Sequence, residues 1–523
     1  MNMTFPARWC TSALTTLLLI GTATRANNIQ LANPTLTSVN TFEGHCNVRF
    51  DITWENSWRT SSDPFNWDGA WVFVKYRTSD GLWHHAKLGN DAQHVAPVSS
   101  IVSTGLLTST SSFHPSTNYG VGAFVYRSAD GSGIFTATGT ELRWNYGPDG
   151  INYADITTFK VFAVEMVYVP QGSFYLGSGG DESCHFYQYP VTNSPYPIMS
   201  EASITVGTAD GDLYYPYPSS YGGDAAGPIP AAFPKGYAAF YIMKHEIAQQ
   251  QYVDFLNTLT RAQQNTRTET NLASGVTSVN NRYVMRNSTS VILRNGICCD
   301  ASIDANAPIT FYCDLNGNGT GNEATDGQWV ACNCLSWADL AAWLDRSGLQ
   351  PMTELEYEKA GRGSAAPVPN EYVWGGTSAM AATGVSNGGG ANESTMPNYA
   401  NTCHSGYFSG PVRTGTLATA NSTRAQSGSG YTGALALSDN LKERPVTVGN
   451  ATGRAFEGTF GNGALDATGN ADAATWPSVD ATGAGFRGGD WNNDATHMRL
   501  SNRSLAARIY STRYEDNGGR GVR

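Results

Sequence analysis

Between Asp490 and Asp516 the chain sets out side chains that can grip a ligand. They are Asp490, Asn492, Asn493, Asp494, His497, Ser504, Leu505, Ile509, Tyr510, Ser511, Tyr514 and Asp516. Their chemistry is mixed, and no amphipathic period orders them. A regular scaffold interrupts them. Gly488-Gly489 and Gly518-Gly519 permit turns that other residues resist. Trp491 is a large anchor for a core. Arg499, Arg503, Arg508, Arg513, Arg520 and Arg523 can fork onto carboxylates and carbonyls. The pattern predicts a rigid frame that presents changeable side chains. Tyr510 and Tyr514 are its expected anchors, because tyrosine is enriched where binding energy concentrates.

A second stretch offers oxygen ligands. Asp314-Leu-Asn316-Gly-Asn318-Gly319 places them at alternate positions and ends on a turn glycine, the first half of a calcium loop. Calcium is therefore a cofactor to test, with Asp314, Asn316 and Asn318 as metal ligands. The twelfth position is Thr325, where a bidentate glutamate belongs, so Asp326 or Glu323 would have to substitute. The competing reading is a plain Asx-rich turn. His84-His85 is the nearest histidine pair, and adjacent strand residues face opposite ways.

Nine cysteines complete the reactive inventory. Cys10 lies in the first residues. The other eight are Cys46, Cys184, Cys298, Cys299, Cys313, Cys332, Cys334 and Cys403. An even number in an exported chain predicts disulfides, with local bridges between 298 and 334. The sequence does not choose among the connectivities. A structural zinc site is the rival, although no paired CxxC spacing exists.

These residues need elements to hold them. From Asn27 to about Thr158 the chain reads as an all-β sandwich. Val48, Phe50, Ile52 and Trp54 alternate with polar residues, and Ala70–Arg77, Val121–Arg127 and Glu141–Tyr146 read as further strands. Turn signals at 79–81, 130–131 and 148–150 separate them. Beyond 158, Ser336 with Asp339 and Thr353 with Glu356 form capping boxes, each opening a helix. Residues 378–441, rich in Gly, Ala, Ser, Thr and Asn, read as long surface loops.

Five segments, in order, resemble the formylglycine-generating enzyme (sulfatase-modifying factor) family. They are Met166–Gly177, the FYIMKHEIAQQQYVDFLNTL run from Phe240, Ser336–Gly363, EYVWG from Glu371, and GFRGGDW from Gly485. The resemblance covers roughly the last two thirds of the chain. It implies an α+β fold in which the N-terminal β-sandwich precedes a loop-rich, C-type-lectin-like domain over 159–523. It makes the Phe240 run a first long helix. Active members bind copper through two cysteines, five and ten residues past the first glycine of the Gly-Gly pair. Asn493 and Met498 stand there in this chain, so no copper and no catalysis are expected. Calcium held elsewhere in the family's domain makes Asn470 a weak further candidate.

The tail has a second resemblance. Gly-Gly-x-Trp, Asn-rich positions, Arg-x-Ser-Asn-Arg and GGRGVR are similar to the variable region of target proteins of diversity-generating retroelements. Those systems mutate template adenines, so Asn codons diversify most. Most of the interrupting residues belong to the set reachable from one Asn codon. This implies that 485–523 is a variable ligand-binding region facing a protein or glycan on another cell or virus.

Composition agrees with export and recognition. The formal net charge is −11, which argues against nucleic acid or an anionic membrane as the main partner. Arg8 followed by an apolar run from Ala13 to Gly21 reads as a signal peptide over 1–26, too short to span a bilayer. The expected location is secreted or cell-surface, without membrane insertion. Three function classes remain: a ligand-binding surface protein, an oxidase of the resembled family, and a structural or filament-forming protein.

Overall fold

The computed structural model describes residues 29–216 and 221–523. The expected leader lies outside the described residues. Strands hold 29% of residues and helices 10%, so the chain has a sheet-rich α+β fold.

Among the described residues, seven strands form before 156: β1 (Gln30–Asn40), β2 (His45–Arg59), β3 (Asp68–Thr78), β4 (Trp83–His85), β5 (Ser100–Leu106), β6 (Gly120–Arg127) and β7 (Gly131–Trp144). The four expected strands fall in β2, β3, β6 and the end of β7, while β1, β4 and β5 were not anticipated. A long β8 (Ile156–Val169) follows and runs through position 158. β1, β2 and β7 form one antiparallel sheet. β5, β6, β3 and β8 form part of a second. That sheet continues through Phe240–Met243, Gly521–Val522 and Gln350–Pro351, with β4 paired to β3.

Alternation on β3 explains how the sheets pack. Ala70, Val72, Val74 and Tyr76 join Val48, Phe50, Ile52 and Trp54 of β2 in one core. Trp71 and Phe73 point the other way, into the main core with Tyr252, Trp337, Leu340 and Trp343. Both faces of β3 are therefore covered, and nine of its first ten positions read as buried in an unbroken run. Polar contacts fasten the second face. The Trp71 indole donates to the Ser347 carbonyl at 2.8 Å, and the Lys75 ammonium donates to Gly463 at 2.6 Å.

Four helices matter for the site: α1 (Gln249–Leu256), α2 (Arg261–Thr266), α3 (Trp337–Arg346) and α4 (Glu354–Arg362). The two capping boxes form as expected. Ser336 Oγ accepts from Asp339 N, and Thr353 Oγ1 from Glu356 N, both at 3.1 Å. The long helix expected from Phe240 does not form. Phe240–Met243 is a strand, and the helix is only the eight residues of α1. The intervening amides are spent elsewhere: Lys244 N donates to Glu165 O and Ile247 N to Gly519 O.

The 378–441 stretch is mainly irregular, but it is not simply surface. Ala382, Ala400, Cys403, Phe408 and Val412 form a small core of their own. Glu393 is buried and ion-paired with Arg294. The eight cysteines from Cys46 to Cys403 are all buried and free, so the bridges expected between 298 and 334 are not formed. Burial pushes the Cys46 and Cys298 thiols up to about 12.

Candidate functional site

A ring of buried arginines fixes the tail. Gly485 passes so close to Ala506 that an added Cβ would meet its carbonyl oxygen at 1.7 Å. Gly488 turns at φ +71°, where glycine is favoured. Between them Arg487 plunges inward. Its guanidinium meets Glu354 at 3.0 Å and Glu358 at 2.7 Å on α4. Arg503 takes Glu354 in a fork, through Nε at 2.7 Å and Nη2 at 3.0 Å. Its plane also lies 3.9 Å from the Phe186 ring centre. Arg362 joins Glu358 at 3.1 Å and Glu371 at 2.5 Å. All of these side chains are fully or almost fully buried. Glu354 and Glu358 are both held below the usual carboxylate range. Burial works against them, but the arginines outweigh it.

The remaining frame residues follow the same rule. Arg513 forks onto Asp339 of α3 at 2.8 and 2.9 Å. Arg520 meets Glu443 at 2.5 Å. Arg523 stacks on Trp71 and Phe460 and donates to the Gly348 carbonyl at 2.5 Å. Arg499 is half-buried against Asn370 and Asp181. Arg508 is half-buried over the rings of Tyr221 and Tyr510.

Ten of the twelve candidate positions reach the surface. Asn492, Asp494, Ile509, Ser511 and Tyr514 are exposed; Asn493, His497, Ser504, Leu505 and Tyr510 are half-buried. Asp490 and Asp516 are the two corrections, at 0% and 9% exposed. Both are spent on Lys442, at 2.8 and 2.5 Å. Asp490 also caps the turn, accepting from Asn492 N at 2.7 Å and Asn493 N at 3.1 Å. Burial raises the Asp490 carboxyl by more than Lys442 lowers it, and the neighbouring Asp516 charge raises it further. These aspartates are frame, not contact surface.

The pair of aspartates also brings the two halves of the tail together. Lys442 ties 490 to 516, and the Trp491 indole donates to the Glu515 carbonyl at 3.3 Å. The 492–497 turn thus lies beside the 510–516 segment. Tyr510, Tyr514 and Asp516 of the latter line a cavity of about 200 Å³, with Phe486, Leu505 and Arg508. Tyr510 and Tyr514 meet edge to face at 6.0 Å. On the turn, Asp494 accepts from Thr496 at 2.5 Å and from His497 at 3.2 Å. The Thr496 bond is the main reason its carboxyl falls to about 2. The face therefore offers a carboxylate, amides, an imidazole and two phenols on a backbone that is fixed beneath.

Lys442 and Phe486 are tethering and lining residues that tail spacing alone did not single out. Lys442-Glu443-Arg444 was legible as a dense charge cluster inside a charge-poor stretch. A larger cavity, about 750 Å³, lies between the β3–β4 turn, α2 and residues 306–310, and gathers none of the candidate positions.

The two positions where the resembled enzymes carry cysteines are unlike each other. Asn493 is half-buried on the turn, while Met498 is fully buried beside Tyr357, Leu437 and Leu500. His84 and His85 do not converge: His84 sits 3.6 Å from Asp80, and His85 bonds Val121 O at 2.6 Å. Asn470 Oδ1 accepts from Arg267 at 2.7 Å, so a guanidinium takes the oxygen that a metal would need. In the 314 loop, Asp314 is buried, whereas Asn316 and Asn318 are exposed.

No protein-family model matches this chain. No curated protein matches it.

Proposed function

We propose that this chain is an exported or surface-displayed binding protein. In this reading an N-terminal β-sandwich precedes a C-type-lectin-like unit of the formylglycine-generating type, and 485–523 presents diversified side chains to a protein or glycan ligand. One observation carries the reading. Within 39 residues, the arginines and Trp491 are paired or buried, while ten interleaved side chains face outward. Such a division lets contact residues change without disturbing the frame. Preorganised contacts also lose less entropy on binding.

The test is a block exchange. The ten surface positions are replaced together, leaving Asp490, Asp516, Trp491 and the arginines intact. Ligand preference, read on cell-surface and glycan arrays, should change while the unfolding temperature stays within a few degrees. Tyr510→Ala and Tyr514→Ala should each weaken a captured ligand by about 2 kcal/mol, or roughly thirtyfold. Loss of folding on block exchange, or an unchanged ligand profile, would refute the division.

The same reading excludes copper oxidase chemistry. A soft metal held by thiolates needs soft ligands, and 493 and 498 offer an amide and a core thioether. Incubation with copper, oxygen and a cysteine-bearing sulfatase peptide should yield no formylglycine above a no-protein control. Product above that control, detected by peptide mass, would restore the enzyme reading.

A further inference from the structure

The 314–326 loop holds two buried carboxylate oxygens with nothing to bind. Asp314 spends one oxygen on its surroundings: Oδ2 accepts from Tyr283 Oη at 3.0 Å and from Gly319 N at 3.2 Å. Its Oδ1 is buried and has no partner. Asp326 is built the same way. Its Oδ2 accepts from Glu323 N at 2.6 Å, and its Oδ1 is buried and unpartnered. Both residues are 0% exposed. Two orphaned carboxylate oxygens in one loop are costly, since each forfeits hydration without a replacement.

The loop brings the two together. Leu315 N donates to Asp326 O at 3.2 Å, closing the ends onto each other. Gly317 and Gly319 turn at φ +73° and +84°. Asn316 Oδ1 accepts from Asn318 N at 3.0 Å, and Asn318 Oδ1 from Thr320 N at 2.7 Å. A carboxamide oxygen has two lone pairs, so each retains capacity for a cation. Glu323 is exposed and touches both amides, at 3.3 and 2.5 Å.

We propose that this loop binds one calcium ion through Asp314 Oδ1, Asp326 Oδ1 and the Asn316 and Asn318 carboxamide oxygens. No group of three or more His, Cys, Asp or Glu side chains stands ready to hold a metal among the described residues. The site instead mixes two buried carboxylates with amide oxygens. Calcium accepts such irregular oxygen sets, whereas magnesium demands a tight octahedron.

The experiment is thermal unfolding of the calcium-stripped full chain, titrated with calcium chloride or magnesium chloride. Calcium should raise the unfolding temperature, with half-effect at roughly 10⁻⁴–10⁻³ M, and magnesium should act more weakly. Asp326→Asn should shift the calcium half-effect upward by more than about tenfold, because ligand charge sets affinity. Asn318→Ala alters an exposed side chain, so it reads the same loss if the buried variant does not fold. Absence of any calcium response at about 10 mM, an equal response to magnesium, or an unchanged half-effect in Asn318→Ala would each overturn the site.

Discussion

Arg503→Met should destabilise the protein by about 3–5 kcal/mol at neutral pH, the usual cost of leaving a buried charge unpaired. Arg503 gives Glu354 two of its hydrogen bonds and also donates to the Cys184 carbonyl at 3.0 Å. Methionine fills much of the volume and supplies none of these. Arg487 stays within 3.0 Å but reaches only one Glu354 oxygen. Lysine should rescue little, since it cannot fork or stack as a guanidinium does.

The pH dependence has a definite sign. Glu354 and Glu358 are depressed in the folded state. They contribute stability above their unfolded value, near 4.3. That contribution is lost as pH falls through the lower folded value. The gap between wild type and Arg503→Met should therefore narrow on acidification. Replacing Glu354 and Arg503 together by Leu and Met should cost less than Arg503→Met alone. Denaturant unfolding measures all three, and a loss below about 1 kcal/mol in the single variant would mean the network contributes little.

Trp491→Ala should cost a similar amount, about 3–5 kcal/mol. The indole is 6% exposed and packs on Ala331, Leu441 and Leu293. Its backbone is tied on both sides: Trp491 N donates to Asn440 O at 2.9 Å, and Gly406 N donates to Trp491 O at 2.8 Å. The indole also joins the turn to the 510–516 segment through Glu515 O. Truncation should thus loosen the proposed recognition face before the rest. Amide exchange should accelerate most over 490–517. Trp491→Phe keeps most of the packing and should lose about 1 kcal/mol for the missing donor. Uniform exchange across the chain, or a cost under 1 kcal/mol for alanine, would remove Trp491 from the frame.

Local signals were the legible ones. The strand around Phe50 was visible in side-chain alternation, those around Trp71, Val125 and Leu142 in apolar and aromatic runs bounded by turn signals, and both capping boxes in a three-residue spacing. The Gly, Trp and Arg scaffold of the tail separated frame from face at ten positions. Asp490 and Asp516 were misassigned because sequence reveals an aspartate's charge but not its partner. Lys442 lies 48 residues before Asp490 and 74 before Asp516, and no local rule links them. The long helix failed for a related reason. The amides of Lys244 and Ile247 are claimed by Glu165 and Gly519, contacts made only in the assembled sheet. The unbroken burial of β3 was foreshadowed by its run of apolar residues from Ala70 to Val74, a mark of a strand covered on both faces.

That doubly covered strand limits how the proposed recognition face can be moved. A fragment beginning after 158 would keep most of β8 but lose β3, its neighbour along the whole register from Asp68 to Thr78. The stripped edge would present a row of unpaired amides and carbonyls, a template for association with another chain. Arg523 would also lose Trp71, and with it part of the anchorage at one end of the tail. The tail segment proposed for recognition is therefore not a detachable cartridge. Transplanting the proposed recognition surface means carrying residues before and after 158 together, and changing it is better done by rewriting its ten surface positions in place.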